Sequence, residues 1–439
     1  MQALFVSCVY LAYLALGAAA PFVMLLAYMW VDLFRPQEVA PSLLGTIPIS
    51  ALTAAAAVAL YVFNDRRDPP RIGWRIILIL LFASWMTMTR FWAEVPDAAA
   101  VKWDWAFKAV IFSAVIPFFI RSRVQMEAAL LTLVAALSGS IMSVAAKVLI
   151  SGGHYSGSLS LMAYASGVAE SSTLAMLSVA VLPIAGFARR HSVIIPRFRY
   201  PIYFGFSGCC VLTALGMYAR TGLVCLGLFV VLAWLRSRHK LLSGVVIAIG
   251  LVAAAPFAAV VLGSAWEERM STIDDPMAES SAAGRIAVWK WTWEYVSEHP
   301  LGGSFDVYKI DSFTLPMTTG EILTIKGKAF HSIYFEILGE TGIVGFTIWM
   351  LLISGFFLAM LRLWRQTRAG EGTEWLGDLA ASLMTSVTIY MVGGAFVGIA
   401  FQPMLYDLLA ISVAATEYWR RSTTSAPAIM AYAGAGVRR

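Results

Sequence analysis

Apolar residues run along this chain in long blocks separated by short polar connections. The blocks fall at roughly 3–34, 42–63, 74–91, 104–121, 124–148, 166–187, 200–218, 221–235, 241–263, 341–361, 376–400 and 402–419. A helix rises about 1.5 Å per residue and needs about 20 residues to cross roughly 30 Å of hydrocarbon, and most of these blocks match that length. They lack the short apolar/polar alternation of an outer-membrane barrel strand. The pattern predicts an all-α, polytopic membrane bundle of about twelve transmembrane helices. Pro21 lies inside the first block and can divide it into two shorter helices.

The polar connections sort by charge. Arg66, Arg67, Arg71 and Arg75 share one, Arg121 and Arg123 the next on that side, and Arg189, Arg190, Arg197 and Arg199 the one after. Arg236, Arg238 and Lys240 follow, then Arg362, Arg365 and Arg368, and finally Arg420 and Arg421. Every second connection is basic, so by the positive-inside rule these are expected to face the cytoplasm. The others then face outward. One of them, 264–340, is long, and its first part, 264–330, carries six basic and ten acidic residues, a formal charge of −4. A long connection without an apolar core of its own is usually functional or disordered; Pro300, Gly302-Gly303 and the closely spaced Trp289, Trp291 and Trp293 favour order here. The expected organisation is an N-terminal bundle over 1–263, an outer segment over 264–340, C-terminal spans over 341–421 and a tail over 422–439.

Composition agrees with this and narrows it. The chain is 59% hydrophobic and only 13% charged, with mean hydropathy +0.75, which excludes an ordinary soluble protein. The net charge of +6 is spread over short loops and predicts no nucleic-acid partner. The N-terminus has no basic n-region and its apolar run continues to Trp30, so it is expected to be retained. Cys8, Cys209, Cys210 and Cys225 sit in apolar blocks without a CxxC pair and read as small packing residues. There is no HExxH, His/Cys ligand cluster or Walker loop, so neither a metal nor another cofactor is expected.

A few polar residues break the pattern. Arg220 starts a span on the side otherwise poor in arginine, where a cation by default faces the bundle interior, although snorkelling to headgroups is the alternative. Arg285 opens GRIAVWKWTWEYVSEH, whose Ile286, Trp289, Trp293 and Val296 fall near one face; such an amphipathic helix is expected to lie on the membrane surface. A guanidinium beside the positive end of a helix favours an anion such as phosphate. His331 combines the outer side with an apolar flank, and an imidazole there can take a proton near neutral pH. Glu336 and Glu340 follow it at helical offsets that make them weak orienters of the ring. Arg90, Lys108 and Asp407 are accessory candidates: two cations able to meet an anionic substrate or to snorkel, and an intramembrane carboxylate.

The runs SSAAGRIAVWKWTWEYVSEHPLGG and AFHSIYFEILGETGIVGF resemble the signature region of the O-antigen ligase and polymerase superfamily. DLFRPQ and TRFWAEVPDAAAVKWDWAFK resemble the branch of putative O-glycosylation ligases associated with exosortase systems. The resemblance implies a glycosyltransferase of the bacterial inner membrane with its site facing the periplasm. It would move a glycan en bloc from undecaprenyl pyrophosphate to a glycan, lipid or protein acceptor. It implies that Arg220 and Arg285 hold the pyrophosphate and that His331 is the general base of an inverting, metal-independent reaction. Ser332 stands where the family commonly has asparagine. A polymerase uses the same residues; a transporter or flippase for lipid-linked glycans is the rival, though the exceptional residues cluster toward one face and not along a path through the bilayer.

Overall fold

The computed structural model describes residues 2–151, 170–237, 239–250, 252, 280–310, 312–316 and 322–435. Residues 166–169 of one expected span, the part of 241–263 beyond 252, Arg238 and the outer segment through 279 lie outside these residues. Among the described residues the chain is a helical bundle with one small antiparallel hairpin, Ser312–Pro316 against Ile322–Lys326. Six helices among the described residues are long and apolar enough to cross a membrane, including Arg123–Ile150, Ile333–Thr367 and Glu374–Gly394.

The boundaries follow local chemistry and correct several expected ones. The first apolar block is two helices, Gln2–Ala19 and Pro21–Phe34, divided at an extended Ala20. Pro21 takes the first helical position, where its missing N–H is no loss. The second block becomes helical only at Ile49, after two single-turn helices at Pro36–Val39 and Pro41–Leu44. The expected span 376–400 ends at Gly394, and Pro403 opens the next helix, leaving 395–402 irregular. That last helix runs on through Ala435, so the expected tail begins as its continuation.

The bundle has two chemically distinct ends. At one, Arg121 donates to the Asp68 carbonyl, Arg123 donates to the His191 carbonyl at 2.8 Å and stacks over Trp375, and His191 Nε2 lies 2.7 Å from Asp378 Oδ2. Arg75 donates to Ser412 Oγ at 3.0 Å, and Trp419 Nε1 to Gln366 Oε1 at 2.9 Å. Basic connections far apart in sequence thus share one end, as the alternation of charge predicts. At the other end, Trp85 Nε1 donates to the Thr341 carbonyl at 2.7 Å, Trp92 Nε1 to that of Gly302 at 3.0 Å and Trp289 Nε1 to that of Phe330 at 2.8 Å.

This second end is built around a backbone clasp between His299-Pro300-Leu301-Gly302-Gly303 and Gly339-Glu340-Thr341-Gly342. Ile343 N donates to Pro300 O at 2.9 Å, and Gly303 N donates to Gly339 O at 3.0 Å. Gly302 and Gly342 both have positive φ, 75° and 67°. A Cβ on Gly342 would sit 2.3 Å from the Leu301 carbonyl carbon, and one on Gly302 would sit 2.4 Å from Gly342 N. Only glycine fits either position, because backbone meets backbone there. At Gly342 the helix Ile333–Thr367 breaks (ψ −171°), separating a short leading segment from the apolar span.

The described part of 264–340 also has an apolar core, contrary to the sequence expectation. Val288, Val296, Val307, Phe330 and Leu338 pack together, with Trp289, Trp291 and Tyr308 at the edge. The helix carrying the tryptophans, Ser280–Glu298, therefore divides its faces differently from the expected surface-lying helix. Val296, Thr292 and Val288 are buried in the protein, whereas Ile286 and Trp293 are exposed. Val296 belongs to the packing face, not with Ile286 and Trp293.

Candidate functional site

His331 lies on the short connection between the hairpin and the helix Ile333–Thr367, in the left-handed region at φ 46°. A non-glycine residue held there costs about 1–3 kcal/mol and persists only where its surroundings over-determine it. Tyr218 (φ 51°), Ser304 (φ 67°) and Asp306 (φ 58°) share this conformation and this end of the bundle.

Around His331 stand charged groups from three separate parts of the chain. Its Nδ1 is 3.7 Å from Glu170 Oε1, beyond hydrogen-bond range but close enough to orient the ring. Arg285 acts electrostatically on both Glu170 and His331, as does Lys328. Burial, followed by the Arg285 and Lys328 charges, pushes the His331 imidazole down to about 4. The ring is therefore neutral near pH 7, the form a proton acceptor must have. Arg285 Nε is buried with no hydrogen-bond partner among the described residues. A donor kept in that state suits an anionic ligand.

Arg285 does not open its helix: the helix starts at Ser280, so the guanidinium lies in the second turn, away from the first free N–H groups. Its aptitude for an anion rests on its own charge and not on the helix dipole. Arg220 is the first residue of the helix Arg220–Arg236, following the strained Tyr218. That helix packs on Ser171–Ala180, where a Cβ on Gly222 would lie 2.8 Å from Ala175 Cβ. Glu170 is the N-cap of Ser171–Ala180, which sets Arg220 at the same end as His331.

Glu336 and Glu340 serve another centre. Both carboxylates accept from Lys102 Nζ, at 2.6 and 2.7 Å, and Asp306 Oδ1 is 3.7 Å from the same ammonium. Glu340 Oε1 also accepts from Asp306 N at 2.9 Å, and Glu336 Oε2 accepts from Ala400 N at 2.9 Å. The two glutamates are 3% and 0% exposed, so this is an interior ion cluster. Sequence reasoning selected Lys108 on the helix Pro96–Phe119 and passed over Lys102 on the same helix. Lys108 pairs with Asp104 one turn away at 2.6 Å, a partly exposed contact outside the cluster. The missed signal was the lysine's place in KWDWAFK, six residues before the one chosen, with two intramembrane-edge glutamates elsewhere needing a cation.

The exposed Arg90 stacks over Trp103, 4.7 Å from the ring centroid. Asp407 is buried, its Oδ2 without a partner among the described residues, and it groups with Asp32 and Tyr28 and not with His331. The four cysteines are free. Among the described residues no group of His, Cys, Asp and Glu has the arrangement of a metal site.

Residues 205–350 match the family model described as O-Antigen ligase, and residues 1–193 match that of a family of unknown function, DUF5935. No curated protein matches the chain. The ligase match contains Arg220, Arg285, His331, Glu336 and Glu340; Lys102 and Glu170 fall in the other segment. Membrane-spanning helices together with this match point to a membrane glycan ligase or polymerase working on a lipid-linked glycan.

Proposed function

We propose that this protein is a glycosyltransferase that moves a glycan en bloc from undecaprenyl pyrophosphate to an acceptor hydroxyl at the periplasmic face of the inner membrane. The observation that carries this reading is the meeting of a neutral His331, Glu170 and an Arg285 Nε without a partner among the described residues, at the end of the bundle opposite the basic connections. In this reading the acceptor oxygen attacks the sugar C1 while the C1–O bond to phosphate breaks, inverting the anomeric centre. His331 takes the hydroxyl proton through Nε2, with Nδ1 turned toward Glu170. The pyrophosphate leaves with the bonding electrons, and Arg285 and Arg220 stabilise its charge. Positioned arginines suffice for a leaving group already this good, so no cofactor is invoked.

Arg285→Ala is expected to weaken binding of a labelled lipid pyrophosphate about 10- to 100-fold, the loss of one or two charge-assisted contacts, and to abolish transfer in isolated membranes. Unchanged donor affinity would remove Arg285 from the pyrophosphate site. Deleting the gene and identifying by mass spectrometry which macromolecule loses its glycan names the acceptor; chains shortened to one repeat unit would favour a polymerase on the same scaffold. A reconstituted protein that scrambles labelled donor across the bilayer without forming product would instead favour the flippase.

The acidity of His331 gives a test on pH. A general base works only unprotonated, so activity rises with pH through its pKa. For free enzyme, the acid limb of kcat/KM is expected near pH 4, far below the ordinary histidine value. In the kcat profile the limb should move to higher pH, because bound pyrophosphate offsets the Arg285 and Lys328 charges. A kcat/KM limb at an ordinary histidine value, about 6.5, would argue against this buried imidazole.

A further inference from the structure

Lys102 sits where two connections near His331 are fixed. Through Glu336 it reaches the irregular stretch 395–402: Glu336 Oε1 accepts from the ammonium, and Oε2 accepts from Ala400 N. Two residues before Ala400, Gly398 lies against the histidine, since a Cβ on it would sit 3.5 Å from His331 N and 3.6 Å from Glu336 Oε2. Glu336 N also donates to Ser332 O at 2.9 Å, tying the residue after His331 to the same glutamate. Through Glu340, Lys102 reaches Asp306 N in the strained run that follows the Gly302-Gly303 clasp.

Stability alone does not account for this cluster. Buried ion pairs are often no more stabilising than apolar residues of the same volume. Here one ammonium faces three carboxylates, and Glu340 Oε2 is buried with no partner among the described residues. What the arrangement does provide is a rigid bed under a histidine held in a left-handed backbone conformation.

We propose that Lys102 is a positioning residue for His331, and that the segment 1–193, matched by a family of unknown function, is a working part of the transfer machinery. This rests on the reading of His331 as the general base. Lys102 touches neither donor nor acceptor; it acts by way of Glu336 and the 395–402 stretch.

The test uses the full chain in membranes, an undecaprenyl pyrophosphate oligosaccharide as donor, and the acceptor identified by the deletion experiment. Lys102→Met is expected to lower kcat on the order of 10²-fold while donor KM and direct donor binding stay within about threefold. Lys102→Arg, which keeps the charge, should recover at least part of kcat. Wild-type turnover in Lys102→Met, or a loss appearing in donor binding instead of kcat, overturns the proposal. Should Lys102→Met fail to accumulate, the charge-matched variant Lys102→Met/Glu340→Gln takes its place with the same expected split. Wild-type turnover in that variant, or failure of both to accumulate, makes Lys102 a folding residue only and overturns the positioning role. His331→Ala run in parallel separates the two levels: an active His331→Ala removes the general-base reading itself, whereas an inactive His331→Ala beside an active Lys102→Met removes only the role of Lys102.

Discussion

Replacing His331 by alanine is expected to reduce glycan transfer by about 10²–10⁴-fold, the range a positioned general base contributes, while the protein accumulates normally and still binds lipid pyrophosphate. The expectation of normal accumulation follows from the contacts of the ring. Its side chain is 24% exposed, and its charged neighbour, Glu170, is at 3.7 Å, so removing it strips no buried group among the described residues of a hydrogen bond. His331→Gly makes a useful companion. Glycine accepts the left-handed backbone without strain, so this variant should be at least as stable as His331→Ala and equally inactive. Wild-type transfer by either would end the general-base role. Activity retained by the glycine variant alone would show that the backbone conformation matters and the imidazole does not.

The second large effect is on folding. Gly342→Ala is expected to destabilise the protein by more than about 3 kcal/mol, combining the roughly 1–3 kcal/mol of an L-residue in a backbone region essentially reserved for glycine with a backbone collision. The collision cannot be relieved by a rotamer change, because the atoms met at 2.3 to 2.6 Å are the Leu301 carbonyl carbon, Pro300 O and Gly302 N. Gly227→Ala, in the helix Arg220–Arg236 with nothing within 4 Å of the new Cβ, is the matched control and should be neutral or slightly stabilising. Thermal unfolding in detergent compares the two directly. Equal melting temperatures would mean that the clasp between the His-Pro-Leu-Gly-Gly turn and the Gly342 break contributes little.

Much of this was legible in the sequence, for identifiable reasons. Membrane helices announce themselves through length and hydropathy, and the sorting of arginines to alternate connections gave the two ends of the bundle before any contact was seen. His331 and Arg285 stood out because a polar residue flanked by apolar ones is conspicuous. The partners of these residues were not legible. Glu170 begins a span 161 positions before His331, and Lys102 meets Glu336 and Glu340 across sequence separations of 234 and 238. No periodicity carries information over such distances. Helical offsets correctly removed Glu336 and Glu340 from the ring of His331, but they cannot say what a glutamate faces on another helix. One position of the tryptophan helix differs from expectation for a related reason: a pattern of apolar positions does not tell membrane from protein as the apolar surroundings, and Val296 is buried in protein while Ile286 and Trp293 stay exposed.

The Lys102 cluster also sets a condition on biogenesis. The lysine is synthesised 238 positions ahead of Glu340. At about 5–20 residues per second, a new chain waits roughly 12 to 48 seconds with that ammonium in place before the last of its carboxylates is made. During this interval the early helices hold a cation meant for an interior they do not yet enclose. The first half of the chain is thus committed to an incomplete intermediate at the insertion machinery until the glutamates arrive. Chains truncated before residue 336 should then be cleared by quality control, whereas the full chain should persist.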